Sequence, residues 1–170
     1  MFEGPQPPAG PAAEGDDAEV RTPATDRLDA LHLAYRVLEY DEVEKTALEV
    51  ARKLDIVPER VFKTLLVRSG RAFALGVVPA TAELSLRAMA RAWGQPDAQM
   101  ADPGDIQRMT GYVRGSVSPL GTKRSLPVFL DFSAQGREIA VSAGRRGQEL
   151  FVQGDDLRLA ADATWAALCR

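Results

Sequence analysis

The order of elements along the chain predicts an α+β domain in which a mixed β-sheet is surrounded by helices. Two observations carry this reading. Apolar, β-rich runs separated by short turn segments read as hairpin strands, above all residues 61–68 and 71–79 across Ser69-Gly70. Between such runs lie short stretches with apolar residues at helical spacing and cap residues at their starts, so helices and strands intermingle. With 170 residues, the body of the chain is expected to form one domain with its own core, over 22–170.

Residues 1–21 are rich in Pro, Gly, Ala and acids, with only Phe2 and Val20 as sizeable apolar groups, and are expected to be a disordered tail. Thr22-Pro23 supplies an N-cap and a first-turn proline, and Leu28, Leu31, His32 and Tyr35 recur at helical spacing, so a helix is expected near 23–34 with His32 packed on its apolar face. Residues 35–40 read as a strand leading into the acidic segment 41–44. Thr46 and Glu49 have capping-box spacing and start a helix to about Leu54, and Pro58 opens a short helical turn.

Within the first hairpin strand Lys63 is out of pattern, being flanked by Phe62 and by Thr64-Leu65-Leu66-Val67. It either points from a polar face or stands at the mouth of a pocket. Ser85 begins an amphipathic helix through Trp93, with Gly94 as its stop, and a helical turn is expected near 103–108. Residues 126–131, 137–142 and 148–152 read as strands, the first two joined across Gln135-Gly136. Asp155 is expected to cap a final helix carrying Leu157, Leu159, Trp165 and Leu168.

Composition narrows the chemistry. The N-terminus lacks the basic-then-apolar order of a signal peptide and no apolar run reaches membrane-spanning length, so a cytoplasmic location is expected, with neither membrane nor DNA as partner. The sole cysteine, Cys169, and the sole histidine, His32, lie far apart in sequence. They argue against an intrachain disulfide, a Cys/His metal site and a Cys–His dyad; neither a metal nor another cofactor is expected. The net charge of −3 is unevenly spread. Glu3, Glu14, Asp16, Asp17 and Glu19 crowd the N-terminal residues without a base, which leaves the rest slightly basic. Between Arg108 and Arg146, seven bases face only Asp131 and Glu138. Such a stretch fits either a polyphosphate-binding face or a solvated surface.

The basic stretch contains the most distinctive segment, residues 110–131. Gly111, Gly115 and Gly121 permit close backbone approach, Ser116, Ser118 and Thr122 add hydroxyls, and Arg114, Lys123 and Arg124 add positive charge. The segment reads either as a loop that holds an anion, with phosphate the natural candidate, or as an ordinary connection between strands.

Four blocks resemble the YbaK/EbsC branch of the aminoacyl-tRNA editing domains, the group that includes the editing insertion of bacterial prolyl-tRNA synthetase. They are Val61-Phe62-Lys63-Thr64-Leu65-Leu66-Val67, Met100-Ala101-Asp102-Pro103, Thr110-Gly111-Tyr112 with Ser118-Pro119-Leu120-Gly121, and Ser142-Ala143-Gly144-Arg145-Arg146-Gly147. The resemblance implies a compact, barrel-like mixed sheet surrounded by helices. The implied activity is removal of a wrongly attached amino acid from tRNA, chiefly cysteine from the proline tRNA, with mischarged tRNA as partner and prolyl-tRNA synthetase as a second candidate.

Carried over by motif, Lys63 is the pocket lysine with Thr64 its neighbouring hydroxyl, Tyr40 ends the early strand, Gly115 begins the central loop, and Ser142 with Gly144 forms the serine-glycine strand end. The reading assigns Lys63, Gly115, Ser142 and Gly144 to catalysis and Tyr40, Thr64, Ser118, Arg145 and Arg146 to substrate binding. Ser116 and Ala143 stand where YbaK members commonly have glycine. Neither His32 nor Cys169 is placed as a nucleophile or its base, so the expected chemistry uses the thiol of a cysteinyl substrate, with amides near Gly115 and Gly144 stabilising the oxyanion. Two alternatives stay open: water attack on another small ester such as alanine, and a module that binds aminoacyl-tRNA without turnover.

Overall fold

The computed structural model describes residues 21–41 and 46–170. Apart from Arg21, the expected N-terminal tail lies outside these residues, as does most of the acidic segment after Tyr40. Helix α1 (Pro23–Ala30) starts as its cap residues dictate. Thr22 accepts the Thr25 N–H at 3.2 Å while Thr25 reciprocates on the Thr22 N–H at 2.8 Å. It stops four residues earlier than expected. The Leu33 N–H bonds back to the Leu28 carbonyl and the His32 N–H to that of Asp29, with His32 left-handed at φ 56. This is a Schellman closure made without glycine, and it turns His32 out to solvent instead of packing it on the helix.

The remaining elements are β1 (Tyr35–Glu39), α2 (Ala47–Lys53), a 3-10 turn at Pro58–Arg60, β2 (Phe62–Ser69), β3 (Ala72–Pro79), α3 (Leu86–Trp93), β4 (Gln99–Met100), α4 (Pro103–Thr110), β5 (Val128–Asp131), β6 (Glu138–Ser142), β7 (Gln148–Gln153), α5 (Gly154–Ala161) and β8 (Thr164–Ala166). The capping box of α2 and the Ser85 cap and Gly94 stop of α3 form as read from sequence. The β2–β3 hairpin turns through Gly70 at φ 58.

The strands form a five-stranded mixed sheet, β4-β2-β3-β5-β8, and a three-stranded antiparallel sheet, β1-β7-β6. A parallel bridge between Val61 and Ala140 joins them. The architecture is the α+β arrangement expected, with the strands divided between two sheets that meet at this bridge. The main core lies between the sheets, where Leu66, Leu75, Leu130, Ile139, Val141 and Leu150 pack with Leu28 of α1, and a second core lies under α3 around Met89. Among the described residues no helix is long and apolar enough to cross a membrane.

Two local readings are corrected by long-range pairing. β5 and β6 are consecutive but lie in different sheets, because Asp131 ends β5 in a 3-10 turn by accepting the Ser133 N–H at 3.0 Å. The last helix is α5 alone. Asp162 ends it at φ 50, and Trp165 belongs to β8, paired in parallel with Leu130. Asp155 does not cap α5; it accepts the Gly136 N–H at 3.0 Å and ties down the preceding turn.

The central segment is anchored rather than free. Tyr112 is buried and donates to the Leu120 carbonyl at 2.5 Å, and burial pushes its phenol up to about 12. Gly121, at φ 67, lies so close to α1 that a Cβ there would stand 2.4 Å from the Pro23 carbonyl carbon. Gly121→Ala combines a disfavoured left-handed backbone conformation with a backbone clash, so it is expected to lower stability by about 2–4 kcal/mol in denaturant unfolding. A loss within experimental error would contradict this packing.

Candidate active site

β2 has two neighbours only near its end. β3 pairs with it throughout, but β4 pairs only at Val67 and Arg68, with one further bond from the Ala101 N–H to the Leu66 carbonyl. Beside the unpaired edge at Lys63–Leu65 opens a cleft of about 570 Å³. Its described walls come from β2, from α2 and Tyr40, from Ala101 to Ile106, from Arg114, Gly115 and Val117, and from Ser142 and Glu149 across the β6–β7 pair.

Alternation along β2 divides its side chains between two faces. Phe62, Thr64 and Leu66 face the main core, where the Thr64 hydroxyl is buried with no hydrogen-bond partner although it borders the cleft. Lys63 and Leu65 belong to the other face, with Val67 in the second core, and both still border the cleft.

Five of the nine sequence-assigned residues converge here: Tyr40, Lys63, Thr64, Gly115 and Ser142. Gly115 adopts φ 90, and a Cβ there would meet nothing within 4 Å, so its glycine answers to backbone conformation and leaves open space beside the cleft. The other four stand outside the lining. Gly144 packs so tightly on Tyr112 that a Cβ would lie 2.4 Å from its ring, and its N–H already donates to Ser142 Oγ at 3.1 Å. In this structure that N–H is thus engaged by Ser142. Ser118 is fully buried and accepts the Leu120 N–H at 3.3 Å, which makes it a turn former. Arg145 and Arg146 are exposed on the β6–β7 turn. Arg108 is paired with Asp105, so the basic stretch is not wholly free.

Glu149 is the residue that sequence reasoning missed. It lies opposite Ser142 in the β6–β7 register, which directs both side chains to the same face of the sheet. Burial pushes its carboxyl from an ordinary 4.5 up to about 8, partly opposed by a hydrogen bond from Tyr40. Alternation gave no signal for it, because Glu149 shares its strand face with the exposed Gln153 as well as with Phe151. His32 and Cys169 are elsewhere. Burial, followed by the nearby Asp131 charge, pushes the Cys169 thiol up to about 11.

An α+β domain with one edge-strand cleft, lined by a lysine, hydroxyls and a buried carboxyl, defines a small-ligand site of catalytic type. Comparison places it. The model of the aminoacyl-tRNA editing domain matches residues 41–159, and the chain belongs to that family. It is 36% identical over 113 residues to an Enterococcus faecalis protein described as "Putative Cys-tRNA(Pro)/Cys-tRNA(Cys) deacylase EbsC", covering 65% of this chain and 69% of that one. A proline–tRNA ligase of Trichlorobacter lovleyi is 31% identical over 93 residues, 54% of this chain but only 16% of the ligase. In fold, the chain resembles the crystal structure of "a putative trans-editing enzyme for prolyl tRNA synthetase", with TM-score 0.77, 24% identity, and coverage of 89% of this chain and 99% of that one. An editing domain cleaves the ester of a wrongly charged tRNA, so the chain is an aminoacyl-tRNA deacylase.

The buried carboxyl has a consequence for stability. The folded state keeps the Glu149 proton up to about pH 8, whereas the unfolded chain releases it near 4.5. The folded state therefore binds more protons between these values, and the contribution of Glu149 is full below about 4.5 and lost as pH rises through about 8. Unfolding free energy measured across this window should fall with pH, and Glu149→Gln should flatten the fall. An equal slope in both proteins would place the carboxyl in a more solvated setting.

Proposed function

We propose that this deacylase removes cysteine from the proline tRNA, acting in trans beside prolyl-tRNA synthetase, and that the substrate's own thiol is the nucleophile. The carrying observation is the distribution of reactive groups. The sole histidine and sole cysteine lie outside the cleft's described lining, while Glu149 lines it with a proton affinity close to that of a thiol. The description of the Enterococcus relative supports the choice of amino acid.

In this mechanism the ionised fraction of Glu149, which grows as pH rises toward about 8, takes the proton of the cysteinyl thiol, and the sulfur attacks its own ester carbonyl. The bond to the ribose oxygen then breaks, that oxygen takes the proton back from Glu149, and a thiolactone leaves. Holding the chain folded for intramolecular attack can lower the barrier by roughly 7–11 kcal/mol. Backbone at Gly115 faces the space where the oxyanion develops, a donor position worth about 3–4 kcal/mol in other enzymes. Ser142 Oγ accepts from Gly144 and so keeps its own proton to donate to the substrate carbonyl. The unpartnered Thr64 hydroxyl meets the amino group, Tyr40 orients Glu149, and Lys63 holds the terminal ribose or phosphate. Arg145 and Arg146 add an exposed basic rim for the tRNA body.

Cysteinyl-tRNA should be cleared more than about 100-fold faster than seryl-tRNA, which differs by one atom, because pocket shape alone separates near-isosteres by about that factor or less. Comparable rates would exclude the thiol mechanism, and an alanyl ester cleaved as fast would point to water. Lys63→Ala should lose most turnover at unchanged melting temperature. Ser142→Ala should reduce kcat/KM by about 2- to 13-fold, the effect of losing one neutral hydrogen bond; complete loss would make Ser142 the nucleophile.

A further inference from the structure

The aminoacyl cleft does not end at Lys63. On the other face of β2 lies a second groove of about 410 Å³, which shares Lys63, Leu65 and Met100 with the cleft and is completed by the start of α3. Lys63 can serve both spaces because it stands at the unpaired edge of β2. The groove is cationic: Arg87 and Arg170 join Lys63, against Glu83 alone. Glu83 pairs with Arg170 at 2.8 Å in a solvent-exposed contact, whereas Arg87 is exposed and forms no ion pair among the described residues. Apolar surface is present beside these charges, since Met100 is 46% exposed and Leu84 and Leu86 also line the groove.

We propose that this groove is a nucleotide subsite, in which Lys63 and Arg87 hold the backbone phosphate preceding the terminal ribose of the tRNA and Met100 supports the attached base. The inference rests on the deacylase reading of the cleft. An ester held in the cleft places the terminal ribose at its mouth, and the penultimate nucleotide is covalently tied to that ribose. The strand must therefore leave through space continuous with the cleft. The second groove has that continuity, a volume suited to a small ligand, cations for a phosphate and an apolar floor for a base. Arg145 and Arg146, by contrast, project from a turn and line neither space.

The test uses the full chain and an uncharged RNA minihelix ending in single-stranded CCA, with affinity measured over a range of salt. Arg87→Glu should weaken binding about tenfold and reduce the slope of log Kd against log salt by about 0.7, the amount for one phosphate contact on a single strand. Folding is not at risk, because Arg87 is exposed and a glutamate suits the first turn of a helix; an unchanged melting temperature verifies this. Met100→Ala should weaken binding without altering the slope. Wild-type affinity and slope in Arg87→Glu would overturn the proposal, as would a loss confined to an Arg145→Glu, Arg146→Glu variant. Deacylation of a charged minihelix by the wild type is scored in parallel. Its absence would remove the deacylase reading, while the binding comparison still decides the groove.

Discussion

β2 is paired with β3 along its full length on one edge, and with β4 over only two residues on the other. That asymmetry governs the site. Where β4 is missing, the open edge at Lys63–Leu65 borders the cleft, and the bridge from Val61 to Ala140 brings the second sheet within reach. An open edge normally invites pairing with another chain. Here it lies in a concavity, with a lysine on it, and both features discourage a second strand while leaving room for a small ligand.

The second sheet contributes a carboxyl held away from water. Glu149 and Ser142 face each other because β6 and β7 are in antiparallel register, and Tyr40 reaches Glu149 from the end of β1. Burial of an acid is costly in its charged form, so the group keeps its proton near neutral pH. The same desolvation that weakens the fold at high pH makes the group a proton carrier matched to a thiol. Stability and chemistry are thus two readings of one buried carboxyl.

The glycines of the central region divide by cause. Gly121 and Gly144 are small because α1 and Tyr112 lie against them, and they hold the central segment and the β6–β7 turn in place. Gly115 alone has open space before it and borders the cleft. Thr22 ties the assembly together, capping α1 while donating to the Ala143 carbonyl at 2.6 Å. The start of the first helix therefore supports the strand end that presents Ser142.

Elements whose signals are local were legible in the sequence. The caps at Thr22, Thr46 and Ser85, the Gly94 stop, the turn at Gly70 and the out-of-pattern Lys63 all concern residues within a few positions of one another, where capping and backbone preference dominate. Tyr40, Lys63, Thr64, Gly115 and Ser142 could be named from their motifs and do line the cleft. What only the tertiary structure decided is non-local. Alternation reports which side chains share a face but not which strand lies alongside, so the separation of β5 from β6 and the strand at Trp165 were hidden. The turn at His32 was hidden because its left-handed residue is not glycine. Glu149 became a site residue only through pairing and burial, since a carboxyl's proton affinity is set by the water that distant parts of the chain exclude from it.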